Sequence, residues 1–337
     1  MRARLHRLTD DALSVLVRGV KLYADGFGDT TRLERMVEVV RDYERPRELG
    51  LSVRWDGPGR VVAGILHRRG SYLSPTASEL PQESRRGSVE LLVKADVAPS
   101  QRPPLCVMLA ATGEEGFLRR YVFARALVLR GIAALFVENP FYGSRRPRGQ
   151  TGPALRTVAE QFAMNVAMVD EARGLLAWLA ADGYETVGVT GYSQGGMMAA
   201  FAAALTPWPV VAVPRGAGSS AVPIFTESAL SRAMHWDKLA AEAGGLDAAK
   251  RYFARCLEPV DVRRFSPPAA PELAIIVAAS HDGFVKPEEA ESLHAHWPGS
   301  ELRWDDAGHV TAAVFEQRAH RRAVRDAFRR AADRRRR

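Results

Sequence analysis

Between the run Val187-Gly188-Val189-Thr190 and the run Met197 to Ala204 stands the hexapeptide Gly191-Tyr192-Ser193-Gln194-Gly195-Gly196. The first run is β-branched and short and reads as a strand; the second, built from Met, Ala and Phe, reads as a buried helix. The G-x-S-x-G therefore sits at a strand-to-helix turn. Glycines flank the serine because side chains there would clash, and the turn holds the serine hydroxyl above the carboxyl end of a sheet, at a helix N-terminus.

The rest of the chain supplies that sheet. Short apolar runs occur at Val61–Leu66, Val89–Val93, Leu105–Ala110, Ile132–Val137, Thr186–Thr190, Val210–Val213, Leu273–Ala278 and Glu301–Trp304. Between the later runs lie helical patterns at 117–131, 155–182, 195–205, 285–297 and 310–333. Strands joined by turns, followed by strand–helix alternation, predict an α/β fold with a mostly parallel twisted sheet and helices on both faces. Residues 49–213 and 272–333 are expected to form this core. Residues 214–271 carry helical patterns, Leu230–Ala243 and Ala248–Leu257, without a clear strand, and are read as a helical cap inserted at the ligand-binding edge. Ahead of the core, residues 1–48 place Leu5, Leu8, Leu13, Leu16, Val17 and Val20, then Leu33, Met36, Val37 and Val40, at helical spacing. Two amphipathic helices are expected there, packed as a cover on the main domain or laid on a membrane surface. Ser71 to Ser88 reads as one long loop.

The formal charge of +8 is local. Ten arginines and two aspartates between 318 and 337 account for all of it. A terminal helix fraying into the basic tail 334–337 is the plain reading, with contact to an anionic lipid or RNA as the alternative; no nucleic-acid partner is expected. With 47% apolar and 26% charged residues the chain is globular. Cys106 and Cys256, both among apolar residues, cannot make a disulfide framework or a four-ligand zinc site and are read as buried thiols. No apolar run reaches the roughly 18 residues of a membrane span. Asp10, Asp11 and Arg18 interrupt the N-terminal apolar stretch, so a cytoplasmic protein is expected.

A serine hydroxyl is a poor nucleophile unless a base takes its proton and an acid fixes that base. On this architecture the expected chain order is Ser, then Asp or Glu, then His. Asp282 follows the run at 273–278, and His309 follows the last strand in Asp305-Asp306-Ala307-Gly308-His309. Ser193, Asp282 and His309 are thus the nucleophile, orienting acid and general base. His281 is a rival base, and Asp305 or Asp306 a rival acid. The other histidines have no supporting context. Two N–H donors must receive the oxyanion. Gln194, after the nucleophile, is expected to give one. The loop Ala111-Thr112-Gly113-Glu114-Glu115-Gly116 gives the other, from Glu114 first and Thr112 second.

With these residues in place the chain resembles the α/β-hydrolase superfamily, and more narrowly the family of α/β-hydrolase domain-containing protein 18. The resemblance rests on Ala111-Thr112-Gly113 through Arg119-Arg120; on Glu138-Asn139-Pro140-Phe141-Tyr142-Gly143 with Arg145-Arg146-Pro147; on Gly188 to Gly196; and on Phe225-Thr226-Glu227-Ser228-Ala229-Leu230-Ser231. It spans roughly residues 50 to 312 and implies an α/β-hydrolase fold and acyl transfer to water from a small-molecule ester or a lipid. Neither metal nor organic cofactor is required. Phe225 and Trp236, with Tyr252 and Phe253, are candidates for an acyl pocket, or for holding the cap to the core. Tyr192, beside the nucleophile, is a further substrate-binding candidate. Arg145 and Arg146 are read as meeting an anionic substrate group or as plain surface arginines. The same site suits a thioesterase, amidase, acyltransferase or peptidase. A catalytically silent binding protein is the rival of another class, though no triad member is missing. A haloalkane dehalogenase is disfavoured, since its nucleophile would be Asp where this chain has Ser193.

Overall fold

The computed structural model describes residues 21–336 apart from Pro46, Glu48 and Pro99. The first expected helix, Leu5 to Val20, and Arg337 lie outside the described residues. The second expected helix is α1 (Thr30–Arg41), capped by the Asp29 side chain accepting from the Arg32 N–H. It buries Leu33, Met36, Val37 and Val40, the stripe that the helical spacing marks.

Ten strands form one sheet: β1 (Arg54–Trp55), β2 (Arg60–Val62), β3 (Ile65–Leu73), β4 (Arg86–Lys94), β5 (Leu105–Leu109), β6 (Ala133–Val137), β7 (Val187–Tyr192), β8 (Val211–Arg215), β9 (Ile275–Ala279) and β10 (Glu301–Asp305). Their order is β1-β3-β4-β6-β5-β7-β8-β9-β10, with β2 paired to β3. From β6 to β10 neighbours run parallel, while β1, β3 and β4 add an antiparallel edge.

The run Val61–Leu66 is not one strand. Ala63 and Gly64 both take positive φ, 48° and 77°, and turn it into the tight hairpin β2–β3; two left-handed residues match the twist of the flanking strands. The loop expected from Ser71 to Ser88 is trimmed at both ends, since β3 reaches Leu73 and β4 starts at Arg86.

Alternation along the parallel strands sets two apolar layers. Leu105, Val107 and Leu109 face one side, and Cys106 and Met108 the other. The first layer is filled by α1, α3 (Val158–Ala181) and α4 (Gln194–Ala204). Thr157 and Glu160 start α3 with a reciprocal capping box. The second layer holds α2 (Leu118–Val128) and α10 (Gln317–Arg336). The expected helix at 310–333 is two helices, α9 (His309–Phe315) and α10, divided at Glu316. Nor does the basic end fray at Arg334: α10 continues to Arg336, and Arg334 and Arg335 pair with Glu272 and Glu185.

Between β8 and β9 stand α5 (Val222–Thr226), α6 (Trp236–Ala243) and α7 (Leu246–Leu257), with α8 (Pro287–His296) following β9. This helical insertion is tied to its surroundings by backbone. Leu22 N–H donates to Ala233 O, His235 N–H to Leu22 O, and Ala229 N–H to Gly283 O, one residue past Asp282.

Candidate active site

Ser193 occupies the turn between β7 and α4 with φ 56° and ψ −121°, a region almost reserved for glycine. Such a conformation costs about 1–3 kcal/mol and persists only where surroundings enforce it. Here the enforcing packing is tight. A Cβ on Gly191 would lie 2.2 Å from the Gly195 carbonyl carbon, and one on Gly195 would meet the Ala110 and Leu109 oxygens at 2.7 Å. The Ser193 N–H donates to Arg215 O at the end of β8, 2.9 Å away.

The structure brings the three expected side chains together at the carboxyl ends of β7, β9 and β10. His309 Nε2 lies 2.9 Å from Ser193 Oγ, and His309 Nδ1 lies 2.6 Å from Asp282 Oδ2. The other Asp282 oxygen accepts from the Phe284 and Val285 N–H groups at 2.8 and 2.7 Å. An ionised carboxylate that accepts on both oxygens fixes the tautomer of its partner. His309 therefore carries its proton on Nδ1 and turns a lone pair on Nε2 toward the serine. Phe284 packs on the imidazole at 5.1 Å between ring centroids. The Gly308 N–H donates to Thr311 Oγ1, which seats His309 as the first residue of α9.

The rival assignments fall elsewhere. His281 pairs with Asp306 at 3.0 Å on a partly exposed edge. Asp305 pairs with His320 at 2.7 Å in the interior. The context that His320 lacks in sequence comes from a strand end fifteen positions away.

The loop expected to meet an oxyanion uses the Glu114 N–H within itself. The Glu114 N–H closes a turn onto Ala111 O at 3.1 Å, and its carboxylate binds the Ala111 N–H and Arg120. That N–H is spent on the turn. The Gly113 N–H faces the Tyr142 hydroxyl, whose pKa burial pushes up to about 12. Among the described residues the Thr112 N–H has no acceptor, and Thr112 Oγ1 reaches Gln194 Oε1 at 3.2 Å. Gln194 opens α4, where a first-turn N–H has no intrahelical partner. Gln194 Nε2 donates to Asn165 Oδ1 at 2.8 Å, so α3 holds both donors' residues in register.

The other candidate side chains have partners within the fold. Tyr192, a substrate-binding candidate from the sequence, donates its hydroxyl to the His309 carbonyl oxygen. Arg145 is neither a surface group nor a substrate contact: it is 1% exposed and grips Glu171 with two nitrogens. Arg146 pairs with Glu115, whose carboxylate also takes the Gly143 N–H. Of the cap aromatics, Phe253 is fully buried and meets Tyr23, Phe27, Phe225 and Trp236 edge-on. Trp236 Nε1 donates to Ser231 O. These rings bind the cap to the segment that precedes α1. Among the described residues no cluster of three or more His, Cys, Asp or Glu side chains is placed for a metal, and no helix is long and apolar enough to cross a membrane.

Comparison with known proteins agrees with this architecture. The family model "Alpha/beta hydrolase domain containing 18" matches residues 20–245 and 241–330. Acetyl xylan esterase 1 from Thermoanaerobacterium sp. JW/SL YS485 is similar with a TM-score of 0.57 at 12% identity, covering 93% of this chain and 98% of that one. An acetyl xylan esterase from Paenibacillus sp. R4 gives 0.56 at 14%, covering 87% and 93%. Oligopeptidase B from Leishmania major gives 0.53 at 13%, covering 81% of this chain and 37% of that one. At these identities the likeness is one of fold.

Proposed function

The chain belongs to the Alpha/beta hydrolase domain containing 18 family, and within it we propose that this protein is a serine hydrolase that cleaves carboxylic esters through an acyl-enzyme. The observation that carries the reading is the line Ser193 Oγ, His309 Nε2, His309 Nδ1, Asp282 Oδ2, with contacts of 2.9 and 2.6 Å.

His309 takes the Ser193 proton on Nε2 as Oγ bonds the ester carbonyl carbon. The carbonyl oxygen becomes an oxyanion received by the N–H groups of Gln194 and Thr112, each such donor worth about 2.7–4 kcal/mol in the transition state. The carbon–oxygen bond to the alcohol then breaks, and His309 gives its proton to the leaving oxygen. Water enters, loses a proton to the same nitrogen and attacks the acyl-enzyme. The acid departs as Ser193 regains its proton. Asp282 stays ionised throughout and stabilises the imidazolium.

The test is labelling with a fluorophosphonate, read by intact-protein mass spectrometry, followed by a p-nitrophenyl ester chain-length series. One adduct on Ser193, absent from Ser193→Ala and strongly slowed in His309→Ala, is expected. Folded protein that takes up no probe, even with lipid vesicles present, would sink the reading in favour of a silent binding protein. Faster turnover of thioesters or anilides than of matched esters would keep the nucleophile and replace the substrate class.

A further inference from the structure

A second aspartate–histidine pair, its histidine on α10, lies inside the molecule next to the first. Asp305, which ends β10, accepts from His320 Nε2 at 2.7 Å; their side chains are 6% and 1% exposed. The other His320 nitrogen faces Arg215 Nη1 in a long contact of 3.5 Å. With Nε2–H donated to the carboxylate, Nδ1 is left as an acceptor for the guanidinium, so His320 is the neutral member between two charges. Arg215 is itself buried, with Nε on Thr190 Oγ1 at 3.1 Å and its guanidinium 4.1 Å from the Phe123 ring centroid.

These groups close a circuit around the reacting atoms. The Arg215 carbonyl holds the Ser193 N–H. The Arg215 side chain meets His320, and His320 stacks on Tyr192 with centroids 5.7 Å apart and planes 24° from parallel. Tyr192 precedes Ser193 in the chain, and its hydroxyl donates to the His309 carbonyl. Its ring also lies 5.2 Å from the His309 imidazole. A single tyrosine thus connects the elbow carrying the nucleophile to the main chain carrying the base, and the buried Arg215–His320–Asp305 chain fixes the plane of its ring.

We infer that Tyr192 is a positioning residue, whose hydroxyl on the His309 carbonyl, backed by His320, Arg215 and Asp305, sets the Ser193–His309 distance. The inference rests on the triad reading above. The physical ground is that His309 begins a seven-residue helix after a turn, and a short helix has little stiffness of its own. Near-attack geometry tolerates little error, and a displacement of an ångström costs about 100-fold in rate. Asp282 meets His309 at the imidazole, through Nδ1, whereas Tyr192 meets the main chain from which that imidazole hangs.

Tyr192→Phe in the full chain is the direct test, because phenylalanine keeps the ring and its stacking and removes only the hydroxyl. Fluorophosphonate labelling is measured against probe concentration for wild type, Tyr192→Phe, His320→Ala and the double variant, with Ser193→Ala as the blank. The expected result is a maximal labelling rate about 10- to 100-fold lower in Tyr192→Phe with the half-saturating concentration unchanged. His320→Ala should lower the same constant, and the two losses should combine less than additively. A wild-type rate in Tyr192→Phe overturns the proposal. So does a raised half-saturating concentration at unchanged maximal rate, which would make Tyr192 a substrate contact.

A second readout needs no activity. The His309 Nδ1–H and His320 Nε2–H protons, both on carboxylates, should give low-field NMR resonances, each assigned by its loss in the matching His→Gln variant. In Tyr192→Phe the His309 resonance should broaden through faster exchange while the His320 resonance stays. An unchanged His309 resonance overturns the proposal. Wild type that shows this resonance yet takes no probe would sink the hydrolase reading while still deciding what Tyr192 does.

Discussion

Arg145 and Glu171 meet with both side chains 1% exposed: Nη1 lies 2.9 Å from one carboxylate oxygen and Nη2 2.6 Å from the other. The remaining Arg145 hydrogens go to Ser84 O and Glu138 O, and Tyr72 donates to Glu171 at 2.6 Å. Burial disfavours the charged guanidinium, but the Glu171 carboxylate outweighs it and holds Arg145 above its ordinary range. The pair fastens the loop after β6 to the middle of α3. That loop carries Asn139, which donates to Ala110 O, and Tyr142, which meets the Gly113 N–H.

Removing one partner strands a buried charge. Arg145→Met should destabilise the fold by about 3–5 kcal/mol, while Arg145→Met with Glu171→Leu should recover a large part of that loss. Urea unfolding of the four proteins in the cycle gives the answer. A single variant as stable as wild type would show that the pair is solvated in solution.

How far the chain could be read in advance depended on what kind of signal each feature leaves. Ser193, Asp282 and His309 were legible because backbone geometry wrote them: glycines around an elbow, and polar residues just past apolar runs. The Arg145–Glu171 pair was not, since 26 positions and a helix separate its members and neither sequence neighbourhood is unusual. The Tyr192 hydroxyl on the His309 carbonyl was not legible, because a motif fixes where a residue sits and leaves open which way its side chain turns. In the loop proposed to meet the oxyanion, the sequence ranks Glu114 first. Only the turn from Glu114 N–H to Ala111 O, with the Glu114–Arg120 pair, shows why Thr112 is left with the open donor.

Asp282→Asn tests the orienting role. The amide keeps the shape and presents a donor where His309 Nδ1–H also donates, which favours the wrong tautomer. A fall of about 10⁴ in kcat on a p-nitrophenyl ester is expected, with circular dichroism unchanged. A loss below tenfold would return the role to another carboxylate.

Gln194 contributes both its backbone and its side chain. Gln194→Ala keeps the N–H but removes the amide that spans Asn165 and Thr112. The loss in kcat should be about tenfold, well under the 10²–10³ for deleting an oxyanion donor outright, with KM nearly unchanged. Asn165→Ala should reproduce it. If both variants match wild type, the Thr112 loop is held by the Glu114–Arg120 and Tyr142 contacts alone.

The thiols should be inert in the native protein. Burial pushes Cys106 up to about 12 and Cys256 up to about 11, and the thiolate is the reactive form. At pH 8 native protein should leave a chromogenic disulfide reagent unreacted while denatured protein consumes two equivalents, and ester turnover should survive the reagent. Inactivation with one equivalent taken up natively would place a cysteine in the site.

His320 makes stability depend on pH with a definite sign. Burial first, then the Arg215 charge, hold its pKa below the ordinary histidine value, against the Asp305 hydrogen bond that raises it. Below about pH 6.5 the unfolded chain takes up a proton at this position that the folded chain refuses, so the unfolded state binds more protons and stability falls as pH drops. Protonation inside the fold would abolish the acceptor facing Arg215 and set two cations 3.5 Å apart. His320→Gln keeps one donor and one acceptor without a titrating group. Urea midpoints between pH 7.5 and 5.0 should therefore fall more steeply for wild type than for His320→Gln, with the curves parting near pH 6.5. Parallel curves would mean that His320 gains its proton without cost, and that the Arg215 contact contributes nothing to holding it neutral.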